Sequence, residues 1–161
     1  MSEGISYITA AECPAVFVNI MRGGPGLGGI LPSQADYFQS TKGGGHGDYR
    51  LLCMAPASVQ EAVEMVMQAF GLAEKYRNPV MILGDGLTGQ MMEPVEFPDR
   101  LKIEPSNKDD WATNGMDTRN STTRNLVKTL YLNPAELNAH NLKLKAKYDR
   151  MEQEELRFEN Y

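Results

Sequence analysis

Only two cysteines occur in the 161 residues, Cys13 and Cys53. They are too few for a disulfide framework or a multi-thiolate metal site. Both stand at or within apolar segments, where a buried, reduced thiol is the expected state. Basic charge is short as well: 16 Lys and Arg against 21 Asp and Glu leave a net charge of −5. No basic face is offered to phosphates, which argues against nucleic-acid binding. No apolar run approaches the length that spans a bilayer. The opening "MSEGISYITAAECP" lacks the basic start and apolar core of a secretory signal. A cytoplasmic protein with no membrane contact is the reading. Nucleotide fingerprints are missing too. "GPGLGG" does not have the G-x-G-x-x-G spacing, and no G-x-x-x-x-G-K-[ST] occurs.

What is present is glycine, 15 residues of it, concentrated in "RGGPGLGGILP" (22–32) and "KGGGHGDYR" (42–50). Glycine loses much backbone entropy on folding and packs nothing, so such runs point to tight turns or close backbone approach. Between and around them the chain alternates patterns. "PAVFVNIM" (14–21), "YRLLCMAP" (49–56) and "PVMILGDG" (79–86) are apolar runs of strand length, as expected of strands buried on both faces. "QADYFQSTK" (34–42) suits a short helix. "SVQEAVEMVMQAFGLAEKYRN" (58–78) is a helix opened by Ser58 and Glu61 as a capping box and closed before Asn78-Pro79. Val59, Ala62, Val63, Val66, Phe70 and Ala73 mark its apolar face, and Gly71 suggests close approach of a neighbour. This order predicts an α/β fold, a parallel sheet with covering helices, containing 14–21, 50–54 and 79–83. In such sheets ligands sit outside the carboxyl ends of strands. The first glycine run and "GDGLTGQ" (84–90) leave from there.

Beyond Pro98 the texture is polar and aperiodic apart from "LKIEP" (101–105), with Trp111 expected to pin the segment. Asn133, Pro134 and Glu136 then open a long C-terminal helix. Leu137, Leu144, Met151 and Phe158 recur along it in a narrow apolar stripe, the pattern of a helix lying on its own domain or on a partner. Asn114 stands at a thiamine-motif distance from the "GDG" at 84–86, but its neighbour is Gly115 where that motif needs a second asparagine. His46 is expected to be a loop residue, and His140 a solvated one.

Taken together, "RGGPGLGG", "PSQADYFQ" and "GGGHGDYRLLCMAP" resemble the α subunit of the 2-oxoacid:ferredoxin oxidoreductases, densely over 3–98. The helix "NPAELNAHNLKLKAKYDRMEQEELRFENY" resembles the linker helix of these subunits. The branch acting on 3-methyl-2-oxobutanoate is the most similar, and relatives acting on 2-oxoglutarate share the framework. The resemblance implies part of a pyrimidine-binding domain for thiamine diphosphate over 1–98, an extended segment over 99–133 and a linker helix over 134–161. It implies thiamine diphosphate with Mg2+ held mainly elsewhere, iron–sulfur clusters in a partner subunit, and coenzyme A as cosubstrate. It implies as partners a β subunit, a small ferredoxin-like subunit and ferredoxin itself. The glutamate that activates the aminopyrimidine and a substrate loop of the "YPITP" type are not found, so the chain is expected to be a middle piece, inactive alone. The other readings are 2-oxoglutarate or pyruvate as the substrate, or a non-catalytic assembly fragment that only binds partner subunits.

The resemblance also carries one role to Arg22, the arginine that leaves the first strand and reaches the substrate carboxylate. A guanidinium suits a planar carboxylate because it donates two parallel hydrogen bonds. Arg22 paired with a nearby carboxylate in a subunit contact is the structural alternative. Gly23, Gly24, Gln34 and Asp36 complete the candidate substrate site. Catalytic and metal-ligating residues are not assigned within the chain.

Overall fold

The computed structural model describes residues 2–97, 107–113, 115 and 124–157. The stretch "LKIEP", Asn114 and Phe158 lie outside them. The described elements run α1 (Ser2–Ala10), β1 (Ala15–Met21), α2 (Tyr37–Thr41), β2 (Leu52–Met54), α3 (Val59–Tyr76), β3 (Pro79–Asp85) and α4 (Pro134–Glu155).

The strands form a parallel sheet, as the alternating pattern predicts, and lie in the order β1-β3-β2. β3 is buried over nearly its whole length and pairs with β1 from Ala15 opposite Pro79 to Met21 opposite Asp85. On one face Ile5 of α1 packs with Met21, Met81, Leu83 and Tyr49, joined by Phe17 and Cys53. On the other, Ala69 and Ala73 of α3 meet Val80 and Ile82, with Val16 and Leu52 alongside.

α3 begins as its sequence dictates. Ser58 Oγ accepts the Glu61 amide at 3.1 Å, and Glu61 reaches back to the amide of Ala57 at 2.6 Å. It ends at Arg77, which takes the left-handed conformation (φ 48°), and Asn78 then bonds the carbonyl of Arg50 at 3.1 Å. Two expectations for this helix fail. Phe70 is 53% exposed, because the helix meets the sheet through Ala69 and Ala73 and turns the Phe70 position away from it. Gly71 has no atom within 4 Å of where a Cβ would stand, so no neighbour requires it there.

β1 differs from expectation as well. Val18 and Ile20 are more than half exposed, since β1 is an edge of the described sheet and α3 covers only its amino end. β2 is shorter than 50–54, with only Leu52–Met54 in the ladder.

α4 buries two members of its apolar stripe, Leu144 and Met151, while Leu137 stays exposed. Asn133 caps it by accepting the Ala135 amide at 2.9 Å. Polar groups fasten the rest. Glu12 receives Lys143 and Lys147, and Tyr76 donates to Glu154 at 2.6 Å. His140 is not a solvated residue: its Nε2 lies 2.9 Å from the Ala10 carbonyl, and its ring stacks on Tyr131. Trp111 lies under the Arg77 guanidinium at 4.6 Å. Both cysteines are free and partly buried, and burial pushes the Cys53 thiol up to about 11.

Candidate functional site

The glycine run at the carboxyl end of β1 closes a loop. Arg22 and Pro32 form an antiparallel bridge, the Gly23 amide donates to Leu31 at 3.1 Å, and the Gly29 amide donates to Gly23 at 2.9 Å. The peptide between Gly24 and Pro25 is cis. Gly28 has to be glycine for two reasons. Its φ is +56°, and a Cβ would stand 1.9 Å from the Gly23 oxygen.

Arg22 organises this loop from within. Its Nη1 donates to the carbonyls of Gly23 at 3.3 Å, Leu27, and Gly29 at 3.1 Å. A guanidinium has five donors, and Nε with Nη2 forms a fork on the side away from Nη1. That fork has no hydrogen-bond partner among the described residues. The side chain does not pair with a carboxylate there.

A cavity of about 520 Å³ opens beside the loop. Arg22, Gly23 and Gly24 line it from the loop, and Asp36 and Gln39 from the start of α2. Asp36 precedes α2 without capping it through its side chain; its Oδ2 instead accepts Asn19 Nδ2 at 3.1 Å. Four of the five sequence candidates thus meet in one cavity. Gln34 is not among its lining residues. Its side chain instead lies near Asp85 in the turn after β3, close enough to help lower that carboxyl. Asn19 and Gln39 were not anticipated. Asn19 carried a signal, being the polar residue within "AVFVNIM"; Gln39 carried none.

The neighbouring turn is organised around Asp85. Asp85 Oδ1 accepts the amides of Thr88 at 2.9 Å and Leu87 at 3.0 Å, and the Thr88 hydroxyl at 3.2 Å. The Thr88 amide, with help from the Thr88 hydroxyl, the Leu87 amide and Gln34, holds this carboxyl below its usual range. The second glycine cluster enters β2 at the opposite, amino edge of the sheet, so His46 takes no part in the cavity.

A glycine-built loop and a cavity at a carboxyl edge define the ligand-binding end of a parallel α/β sheet. The particular family follows from comparison. The family described as pyruvate flavodoxin/ferredoxin oxidoreductase, thiamine diphosphate-binding, matches residues 1–160, and the chain belongs to it. The ketoisovalerate oxidoreductase subunit VorB of Methanothermobacter thermautotrophicus is 49% identical over 159 residues, 99% of this chain and 44% of that protein. The 2-oxoglutarate synthase subunit KorA of the same organism is 44% identical over 104 residues, 64% of this chain and 27% of that protein. A solved 2-oxoglutarate:ferredoxin oxidoreductase from Magnetococcus marinus, with 2-oxoglutarate, coenzyme A and succinyl-CoA bound, shares the fold. Its TM-score is 0.71 at 22% identity, covering 99% of this chain and 32% of the other. The chain therefore spans less than half the length of these relatives.

The described residues do not fit the magnesium–diphosphate end of thiamine diphosphate. Among them no group of three His, Cys, Asp or Glu side chains is placed to hold a metal ion. Asp85 of the "GDG" turn is engaged by its own turn. Among the described residues no helix is long and apolar enough to cross a membrane.

Proposed function

We propose that the chain is part of the α subunit of a cytoplasmic, thiamine diphosphate-dependent 2-oxoacid:ferredoxin oxidoreductase. The complete enzyme cleaves the bond between the carboxylate and the 2-oxo carbon, releases CO2, passes the electrons through iron–sulfur clusters to ferredoxin, and joins the acyl group to coenzyme A. Its partners are a β subunit, which holds the diphosphate and Mg2+, and a small ferredoxin-like subunit that carries clusters. The contribution of this chain is recognition of the acid. The free fork of Arg22, aimed from a loop that its own Nη1 keeps closed, receives the substrate carboxylate.

The favoured acid is 3-methyl-2-oxobutanoate. Among the described residues Arg22 is the one cation lining the cavity, and Asp36 lines the same space. One carboxylate is matched by Arg22, whereas a second one would meet Asp36 as a like charge. The length of the VorB match supports the same choice over 2-oxoglutarate.

The test is Arg22→Lys in the assembled enzyme. Lysine keeps the charge and loses the fork. A charge-assisted hydrogen bond is worth about 1.5–3 kcal/mol, so kcat/KM falls by roughly ten- to a hundredfold, through KM, with the complex intact. An unchanged KM in an intact complex removes Arg22 from substrate binding. Dissociation of the complex, with normal substrate dependence in what remains, assigns it a structural role.

A further inference from the structure

We infer that a second cavity, at the amino ends of the strands, is a binding site for a phosphate group, free or carried as a monoester, held by Arg77 and Lys143. The cavity measures about 250 Å³. The end of α1, Arg77 just before β3, α4, and the segments around Trp111 and Tyr131 enclose it. It lies at the opposite end of the parallel strands from the Arg22 cavity. The inference does not rest on the 2-oxoacid chemistry, so either can fail alone.

Two residues at this end keep a backbone conformation that residues with a side chain avoid. Glu12 has a φ of 53° and Arg77 one of 48°. Such backbone persists only where the surroundings over-determine it, and it gathers at ligand clamps. Here the two hold each other, because Arg77 Nε donates to the Glu12 carbonyl at 3.2 Å. The other face of the arrangement is aromatic, with the guanidinium 4.6 Å from the centre of the Trp111 ring.

The charges at this end do not balance. Glu12 accepts Lys143 on Oε2 and Lys147 on Oε1, so both its oxygens are taken by lysines. Arg77 lies in the field of the same carboxylate but pairs with no acid among the described residues. Its Nη1 and Nη2 have no hydrogen-bond partner there either. Lys128 on the cavity wall has Glu136 as its own partner. Even with the exposed Asp110 counted, Arg77, Lys143 and Lys147 outnumber the acids around them. Lys147 registers this excess: burial first, then Lys143 and Arg77, brings its ammonium down to about 8 in spite of Glu12. Partly buried charge of one sign calls for a counter-ion.

The donor set suits phosphate in particular. A guanidinium held against an aromatic ring matches two phosphate oxygens, and an ammonium serves a third as a point charge. Lys143 spends one of its three N–H groups on Glu12, and its side chain is 62% exposed, so a ligand reaches it. The carbonyls that end α1 do not oppose an anion, because each is already bonded. Backbone amides serve those of Tyr7, Ile8 and Thr9, and His140 serves that of Ala10. The stacked rings of Tyr131 and His140 form a further wall, which suits the organic part of a monoester.

The experiment titrates the 15N-labelled 161-residue chain at neutral pH and follows its amide NMR shifts. Inorganic phosphate is the ligand in one arm and phenyl phosphate in the other, with sodium chloride holding the ionic strength constant. Saturable shifts are expected at Glu12, Arg77, Trp111 and Lys143, with a millimolar Kd. Saturation with inorganic phosphate alone identifies the free ion as the ligand, and tighter binding of phenyl phosphate identifies a monoester. Arg77→Lys should weaken binding by roughly tenfold or more, and Lys143→Gln by at least about threefold. Lys145→Gln, at an exposed lysine paired with Asp149, should leave it unchanged. If Arg77→Lys loses the circular dichroism of the folded chain, Lys143→Gln decides alone. Three results overturn the inference: shifts that do not saturate in either arm, saturable shifts confined to other residues, or binding that Lys143→Gln weakens no more than Lys145→Gln does.

Discussion

Gly28 and Gly24 stand four residues apart in the same loop, yet substitution should separate them sharply. A Cβ on Gly28 would overlap the Gly23 oxygen at 1.9 Å in a left-handed backbone, whereas Gly24 has no neighbour within 4 Å and an ordinary φ. Gly28→Ala is expected to destabilise the fold or open the loop at a cost of about 1–3 kcal/mol, as strained backbone positions do. Gly24→Ala should stay within about 0.5 kcal/mol of the parent. Thermal melts of the two variants check this; equal melting temperatures would mean that the loop is not closed in solution. The sequence showed that the glycines had a common purpose, because they leave the end of an apolar run beside Arg22. It did not show which glycine is indispensable, since that depends on φ and on a carbonyl five positions away. Gln34 lies outside the cavity lining for a similar reason. Its neighbour Asp85 arrives from another strand and cannot be read from local pattern.

α4 is attached mainly by charge, and its attachment carries a pH signature. Lys147 lies against Glu12 at 3.5 Å and donates to the Arg77 carbonyl at 3.2 Å, with a side chain only 9% exposed. Burial, reinforced by Lys143 and Arg77 and opposed by Glu12, brings its ammonium down from 10.5 to about 8. Burial alone would raise Glu12, but the Lys143 hydrogen bond and the charges of Lys147, Lys143 and Arg77 hold it below its usual range. For Lys147 the unfolded chain retains the proton between pH 8 and 10.5 while the folded one releases it. Stability from this group therefore rises with pH across that window. Cys53 acts oppositely: its thiol is raised from 9.0 to about 11, so its contribution is lost as pH rises through that interval. Between pH 8 and 9 Lys147 should dominate, with the unfolding free energy climbing by about 1 kcal/mol. Urea titrations at half-unit steps test this, and Lys147→Met should flatten the slope. A stability that falls over this unit of pH would show that Lys147 is not buried as described. The helix itself was legible from Asn133-Pro134 and its stripe, but the polar clasp was not, because lysines on a charged helix look alike until one is covered. α3 was legible from its cap to Asn78-Pro79, but the rotation that exposes Phe70 escaped, since neighbouring stripes were both apolar, and so did the open surroundings of Gly71.

At the scale of the molecule, the parallel order of three strands was readable because each apolar run ends in a turn and a capped helix separates the last two. Their lateral order was not, as nothing local sets which strand lies in the middle. The scarcity of metal-ligating clusters among the described residues leads to an expectation about the isolated chain. Titration calorimetry of the 161-residue protein with Mg2+ and thiamine diphosphate should show no saturable heat at micromolar concentrations. Micromolar binding would mean that the diphosphate is held here and not by a partner. One further property follows from how the two carboxyl-edge turns are joined. Pro32 bridges to Arg22 and lies against Gly86, and the Gly86 amide donates to Met21 at 3.1 Å. The two turns are therefore one lever with a common fulcrum at the strand ends. A molecule that pushes the glycine loop aside must also lift the turn after β3, so passage on this side is governed by a single shared hinge rather than by two independent flaps.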